Sequence, residues 1–357
     1  MLQNIKIEGY KSIKTLDLKL SPINILIGSN GVGKTNFISF FKLVNNIYEQ
    51  RLQQYSLKSG VDNLLHYGRK NTNEIKGYLN FGNNAYQFNL LPTDEGSFFI
   101  GREDSILNYP SKFNKTYYSE NIKESFIKKK GENGKYRDKY LSEHLESYKI
   151  YHFHDTSISA PLRLIANVND NRMLKAEGGN LPAFLFYLQE KYTKHFKIIE
   201  KVIKSTVPFF DRFDLNPMSL DGNKIELEWY EKEHPEHPFY ARDLSDGTLR
   251  FIALTTLLLQ PNLPKTIILD EPELGLHPFA ISKLAGMIKK ASVQSQIIVA
   301  TQSVSLVNEF SADDIIVADR EENQTVFKRQ SQESLKTWLE DYSIGELWEK
   351  NVIGGRL

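Results

Sequence analysis

The run Gly28-Ser29-Asn30-Gly31-Val32-Gly33-Lys34-Thr35 constrains this chain more than any other feature in it. It fits G-x-x-x-x-G-K-T. It follows the apolar run Ile23-Asn24-Ile25-Leu26-Ile27, which reads as a buried strand. It opens a helix over residues 34–49, where Phe37, Phe40, Phe41, Val44 and Ile47 are spaced for one face. Glycines at those positions let backbone N–H groups curl around a phosphate, and the helix N-terminus adds partial positive charge. Such a P-loop implies ATP-type chemistry. Asn30, Gly31, Gly33, Lys34, Thr35 and the adjoining Asn36 would hold the nucleotide, with Lys34 on the β- and γ-phosphates and the Thr35 hydroxyl on Mg²⁺.

A second segment, Lys265-Thr266-Ile267-Ile268-Leu269-Asp270-Glu271-Pro272, reads as a buried strand ending in two carboxylates. Asp270 would ligate Mg²⁺, directly or through water, and Glu271 would polarise the attacking water. A third, Asp243-Leu244-Ser245-Asp246-Gly247-Thr248, precedes an apolar helix over residues 249–259. Taken alone, this triplet of Ser, Asp and Gly is an N-cap and a turn.

Composition sets the class. The chain has 357 residues, 40 % hydrophobic and 25 % charged, with a net charge of +1, so it can build a core and carries no global nucleic-acid signature. No cysteine is present, which excludes disulfides, a thiol nucleophile and thiolate-held zinc or iron–sulfur centres. Lys6 and Glu8 interrupt the first apolar stretch, so no signal peptide is expected, and no run approaches membrane-spanning length. A cytoplasmic protein without membrane contact is the expectation.

Periodicity predicts an α/β fold with a mixed sheet core. Alternating strands are expected at 4–10 and 16–20, a meander over 73–101, a long helix at 181–204, and strands at 212–220 and 224–229. Beyond that come strands at 266–270, 296–301, 314–318 and 325–329, with helices after Pro278 and Ser303. Between Lys112 and Lys149 ten basic residues face six acidic ones, interleaved with tyrosines. The division this suggests is an N-terminal half (1–104), an inserted, mainly helical lobe (105–210) and a C-terminal half (211–357). His152, His154 and Asp155 read as a packed or hydrogen-bonded site rather than a metal centre, Lys128-Lys129-Lys130 as a solvated run, and residues 342–348 as a short helix packed by an aromatic anchor.

Together these motifs make the chain resemble the RecF/OLD/SMC branch of ABC-type ATPases, and within it the compact OLD-like predicted ATPases of AAA type. The resemblance is carried by Tyr10-Lys11-Ser12, the P-loop through Asn36, Leu244 to Thr248, Asp270 to Pro278, and Ala300-Thr301-Gln302-Ser303; it also runs through Tyr151 to Asp155 and the tail from Trp338 to Arg356. It implies a P-loop ATPase head that clamps Mg·ATP between two copies. Ser245 and Gly247, about 25 residues before the Asp-Glu strand, would be the signature loop contacting a γ-phosphate held by the other copy. Gly275-Leu276-His277 would be the D-loop, with His277 facing the partner site, and Gln302 would replace the switch histidine that senses the γ-phosphate. Glutamine cannot take a proton near neutral pH, so Gln302 bears on rate. Lys11 would lie near nucleotide, and no Q-loop glutamine is assignable between Gln87 and Glu103.

The function this implies is ATP hydrolysis that switches a DNA-linked partner or a separately encoded effector or nuclease, in anti-phage defence or DNA repair. A TOPRIM nuclease within the chain is not expected, because only 38 residues follow Asp319 and no Glu…Asp-x-Asp set is evident. A nucleotide-gated scaffold with little turnover is an alternative. A transporter subunit is another, opposed by the 211 positions separating Lys34 from Ser245. An SMC-like rod would need long heptad arms, which are missing.

Overall fold

A computed structural model describes residues 1–109, 112–134 and 136–355. The chain forms two units, residues 1–150, 265–268 and 295–357 making the first and residues 151–264 and 269–294 the second.

The first unit opens with strands β1 (Asn4–Tyr10), β2 (Ile13–Lys19) and β3 (Ile23–Ile27), then helices α1 (Lys34–Tyr48), α2 (Leu52–Ser59) and α3 (Val61–Leu64). Strands β4 (Ile75–Asn80), β5 (Asn84–Pro92), β6 (Phe98–Tyr109) and β7 (Lys112–Ile122) lead into α4 (Ile127–Asn133), α5 (Tyr136–Glu146) and the two-residue β8 (Ile150–Tyr151). The second unit contributes β9 (Ala166–Asn167), α6 (Leu181–Lys191), α7 (Thr193–Thr206), β10 (Phe210–Asp214), β11 (Lys224–Ile225), β12 (Glu228–Glu231) and β13 (Pro238–Tyr240). It continues with α8 (Asp246–Leu259), β14 (Thr266–Asp270), whose first residues belong to the first unit, and α9 (Pro278–Ala291). The chain then completes the first unit with β15 (Gln296–Ala300), α10 (Val304–Val307), β16 (Ile315–Glu321), β17 (Gln324–Arg329) and α11 (Ile344–Glu349).

Two sheets build the first unit. One is antiparallel, in the order β2-β1-β4-β5-β6-β7; the other is mixed, in the order β17-β16-β3-β15-β14-β8, with β15 and β16 parallel to β3. Alternation fixes the register of the first: Ile5 lies opposite Leu18 and Leu79, and all three are buried, while the intervening Lys6 is exposed. Helix α1 is buried more completely than its one apolar face predicts, with ten of its fifteen residues inside. The reason is that it shares a core with both sheets, Ile5, Leu79 and Phe88 from one and Leu26, Ile298 and Ile316 from the other. Phe37, Phe40 and Phe41 are each fully buried there, worth roughly 1.5–3 kcal/mol apiece.

The structure differs from the sequence-based division. The expected boundary at 104 falls inside β6, and residues 105–122 continue the antiparallel sheet instead of starting a helical lobe. Helix α5 also stays with the first unit, because Leu141 and Leu145 join its core, the Asn45 amide donates to the Leu145 carbonyl at 3.2 Å, and Tyr48 and Ser142 hydroxyls meet at 2.9 Å. Strand β7 lies at the sheet edge, and its sequence, with Lys112 and Lys115, lacks the apolar alternation of a two-sided strand. The single helix expected at 181–204 breaks at Tyr192 into α6 and α7, where the Thr193 hydroxyl donates back to the Gln189 carbonyl at 3.0 Å. Residues 215–220 leave the strand predicted for 212–220, since β10 ends at Asp214. No helix among the described residues is long and apolar enough to cross a membrane.

His144 gives the first unit a pH response. It lies between Phe81 and Tyr140, 5 % exposed, and burial pushes its pKa down to about 4. The folded state therefore refuses a proton that the unfolded chain accepts below about pH 6.5. Its stabilising contribution is complete above that value and is lost as pH falls toward 4. Between pH 7 and pH 5 the wild type is expected to lose about 2 kcal/mol through this residue. Urea unfolding of His144→Gln at the two pH values should lack that increment; an identical loss in both proteins would assign it elsewhere.

Candidate functional site

In the first unit, β3 ends at Ile27 and the chain curls through Gly28 to Gly33 before α1 begins. Asn30, Gly31 and Thr35 are exposed, while the Lys34 side chain is buried, its Nζ donating to the carbonyls of Gly28 at 2.5 Å and Ser29 at 3.0 Å. The α1 N-terminus has no side-chain cap and no acidic residue in its first turn, so no side chain of its own caps its first N–H groups or offsets its dipole. Gly33 has φ +121, and a Cβ there would stand 2.2 Å from Thr325 Oγ1 and 2.8 Å from Ser12 Oγ, so only glycine fits. Thr325 also reaches the loop, donating to the Val32 carbonyl at 2.6 Å, and Asn36 donates to Ser12 Oγ at 2.8 Å.

Beside the loop, Lys11, Ser12, Asn36, Asn63, Tyr67 and Arg320 line an open cavity of about 690 Å³. Lys11 Nζ donates to Ser39 Oγ at 3.0 Å, and burial, with Lys42 nearby, pulls its ammonium below the usual lysine range. Thr301 N–H donates to the Leu26 carbonyl at 3.0 Å, which sets the exposed Gln302 just beyond β15, and Ser303 then caps α10. The tail enters the same neighbourhood. Gly355 N–H donates to Asp319 Oδ2 at 3.1 Å, and a Cβ at Gly355 would lie 3.4 Å from Gly28 Cα. The buried Trp348 of α11 holds that segment through Nε1, which donates to the Gly355 carbonyl at 3.4 Å. Arg356, the last residue of the resembling tail, lies outside the described residues.

Neither Q-loop position is a site residue in this arrangement. Gln87 Nε2 donates to Asp104 at 2.6 Å, and Glu103 is fully buried, accepting from Tyr86 at 2.6 Å, from the Phe126 N–H at 3.1 Å and from Ser125. Burial pushes the Glu103 carboxyl up, and its three donors make it a structural knot of the β-sheet. Of the basic run, Lys128 pairs with Glu49 at 2.5 Å.

In the second unit, β14 ends at the half-buried Asp270, and Glu271 follows at φ +41, a left-handed conformation costing of order 1–2 kcal/mol for a residue with a Cβ. The turn closes as the Leu274 N–H donates to the Glu271 carbonyl at 3.2 Å, and His277 caps α9 by accepting from the Phe279 N–H at 3.3 Å. Ser245 caps α8, its Oγ accepting from the Thr248 N–H at 3.3 Å, and both Ser245 and Asp246 are exposed. His154 Nε2 bonds the Asp270 carbonyl at 2.8 Å, so this histidine braces the strand end; Asp155 accepts from Ser157 instead.

Three residues went unremarked in the sequence. Arg250 on α8 donates to the carbonyls of Phe153 (2.9 Å), His154 (2.7 Å) and Leu274 (2.8 Å), tying α8 to the turn that follows β14. Arg163 reaches the turn ahead of α8, bonding Leu244 and Asp246, which lie 81 and 83 residues further along the chain. Thr325 backs the P-loop. Only Arg250 left a signal, as the single charge in the otherwise apolar stretch 249–259.

A profile of the family described as "AAA domain, putative AbiEii toxin, Type IV TA system" matches residues 23–308. No curated protein sequence matches the chain. Among solved structures, the fold is similar to an Smc head bound to the C-terminal winged-helix domain of ScpA, with a TM-score of 0.62 at 16 % identity, covering 94 % of this chain and 99 % of that one. It is also similar to the Pyrococcus furiosus Smc head bound to the C-terminal domain of ScpA (TM-score 0.55, 15 % identity, 95 % and 98 % covered). A Smc head with coiled coil and joint from Pyrococcus yayanosii matches at TM-score 0.53 and 13 % identity, with 95 % and 99 % covered. At these identities the likeness establishes the fold, that of ABC-type P-loop ATPase heads.

Proposed function

The chain belongs to that AAA domain family, an ABC/AAA-type ATPase related to SMC heads, and on this premise we propose that two copies clamp two Mg·ATP head to tail. Hydrolysis there would switch a separately encoded effector or a nucleic-acid-linked partner, in anti-phage defence or DNA repair. The observation that carries the proposal is the exposed signature turn: Ser245 sits at the surface as the cap of a fourteen-residue helix, at a helix end suited to an anion.

In this reading Asn30, Gly31, Gly33, Lys34, Thr35 and Asn36 hold the triphosphate, and the cavity beside Lys11 and Tyr67 takes the nucleoside end. Ser245, Gly247 and His277 meet the nucleotide of the other copy. The donors fit Mg²⁺, since the exposed Thr35 hydroxyl and the strand-end Asp270 carboxylate are both hard oxygen ligands. When bound, Mg²⁺ supplies charge neutralisation at the β- and γ-phosphates. Glu271 orients and deprotonates the attacking water, and Gln302 contacts the γ-phosphate by hydrogen bonding alone. A switched protein partner is in keeping with the Smc heads solved with bound ScpA domains.

Steady-state phosphate release tests this. The rate per chain should rise with protein concentration, because only paired copies are competent, and should vanish on chelating Mg²⁺. No ATP-dependent release, or a rate per chain independent of concentration down to the lowest measurable values, would contradict it.

A further inference from the structure

The signature turn of this chain carries a carboxylate, Asp246, in the first turn of α8. Placed beside a triphosphate, that charge repels the group the helix N-terminus is meant to attract. Arg163 meets it. Its side chain is 7 % exposed, and Nη2 lies 2.8 Å from Asp246 Oδ1, a carboxylate that is itself 61 % exposed. The same guanidinium donates to the backbone ahead of the helix, through Nη2 to the Leu244 carbonyl at 3.1 Å and through Nη1 to the Ala241 carbonyl. Its Nε is anchored on the Thr156 carbonyl at 2.7 Å. One guanidinium thus ties down the Ala241 and Leu244 backbone and pairs the Asp246 carboxylate.

We propose that Arg163 is a positioning residue for ATP turnover: it holds the Ser245 turn and neutralises Asp246, so that the turn accepts the triphosphate held by a second copy. This rests on the two-copy reading above. A lysine would restore charge but not the planar three-directional bonding.

The test compares Arg163→Gln, Arg163→Lys, Asp246→Asn and the double variant Arg163→Gln/Asp246→Asn, with ATP as the probe. Arg163→Gln should lower kcat about 10²-fold while ATP binding by the P-loop is kept. Adding Asp246→Asn should recover about tenfold of that loss, because the repulsion goes even though the lost backbone bonds do not return; a purely structural arginine would show no such rescue. Arg163→Lys should lie between, and it carries the test if the glutamine variant does not fold.

Mixing experiments separate this inference from its premise. Lys34→Ala mixed with Ser245→Arg should regain turnover, since the hybrid pair has one site with an intact P-loop and an intact signature. Lys34→Ala mixed with Arg163→Gln, or with Arg163→Lys, should regain as much. Recovery in the first mixture but not the second would overturn the role of Arg163, as would an unchanged kcat or a failed rescue by Asp246→Asn. Recovery in neither would overturn the two-copy site itself.

Discussion

Glu271→Gln is expected to cut steady-state phosphate release by about 10³-fold while leaving ATP bound and the copies paired. The carboxylate is the only group assigned to activate water, and glutamine matches its volume and can hydrogen-bond, yet cannot accept a proton. The substitution also respects the backbone. Glu271 is held at φ +41, and a side chain of the same size leaves that strained turn and its Leu274-to-Glu271 hydrogen bond undisturbed. The lost rate is then attributable to chemistry rather than to a collapsed loop. Phosphate release and bound nucleotide, measured on one preparation, check both halves. Equal near-zero rates in wild type and variant would favour a scaffold that grips ATP without turning it over.

Lys34→Ala is expected to act earlier, raising the Kd for ATP by about 10²-fold or more, equivalent to about 3 kcal/mol. The buried ammonium is held by the Gly28 and Ser29 carbonyls, the atoms at the mouth of the loop. Removing it deletes the positive charge that the proposed site places at the phosphates and leaves those two carbonyls without that donor. Titration with a fluorescent ATP analogue should show the shift, and the variant should not pair in the presence of ATP. Unchanged affinity would mean that the nucleotide, if bound, sits elsewhere.

The P-loop, the strand ending in Asp270 and the Ser245 cap were legible because each is a local pattern, in which type and spacing alone fix strand, turn or helix start. Strands β1, β3 and β14 fall where their apolar runs predict. What the sequence concealed depends on residues far apart in the chain. Thr325 backs Gly33, Gly355 packs near Gly28 and Arg163 grips Asp246, and none of these pairs has a local signature. The continuation of the antiparallel sheet through β7 was obscured by its edge position, where lysines blur the alternation that would mark a strand. Residues 183–206, on either side of the break at Tyr192, contain no proline or glycine, so helical periodicity runs straight across it.

The two-copy arrangement is tested most directly by weighing Glu271→Gln particles in solution with and without Mg·ATP. The account predicts a shift from the 41.2 kDa chain to twice that mass on adding Mg·ATP, abolished by Ser245→Arg. A particle that binds ATP yet keeps one mass throughout, or a doubled mass indifferent to both ATP and Ser245→Arg, would contradict it.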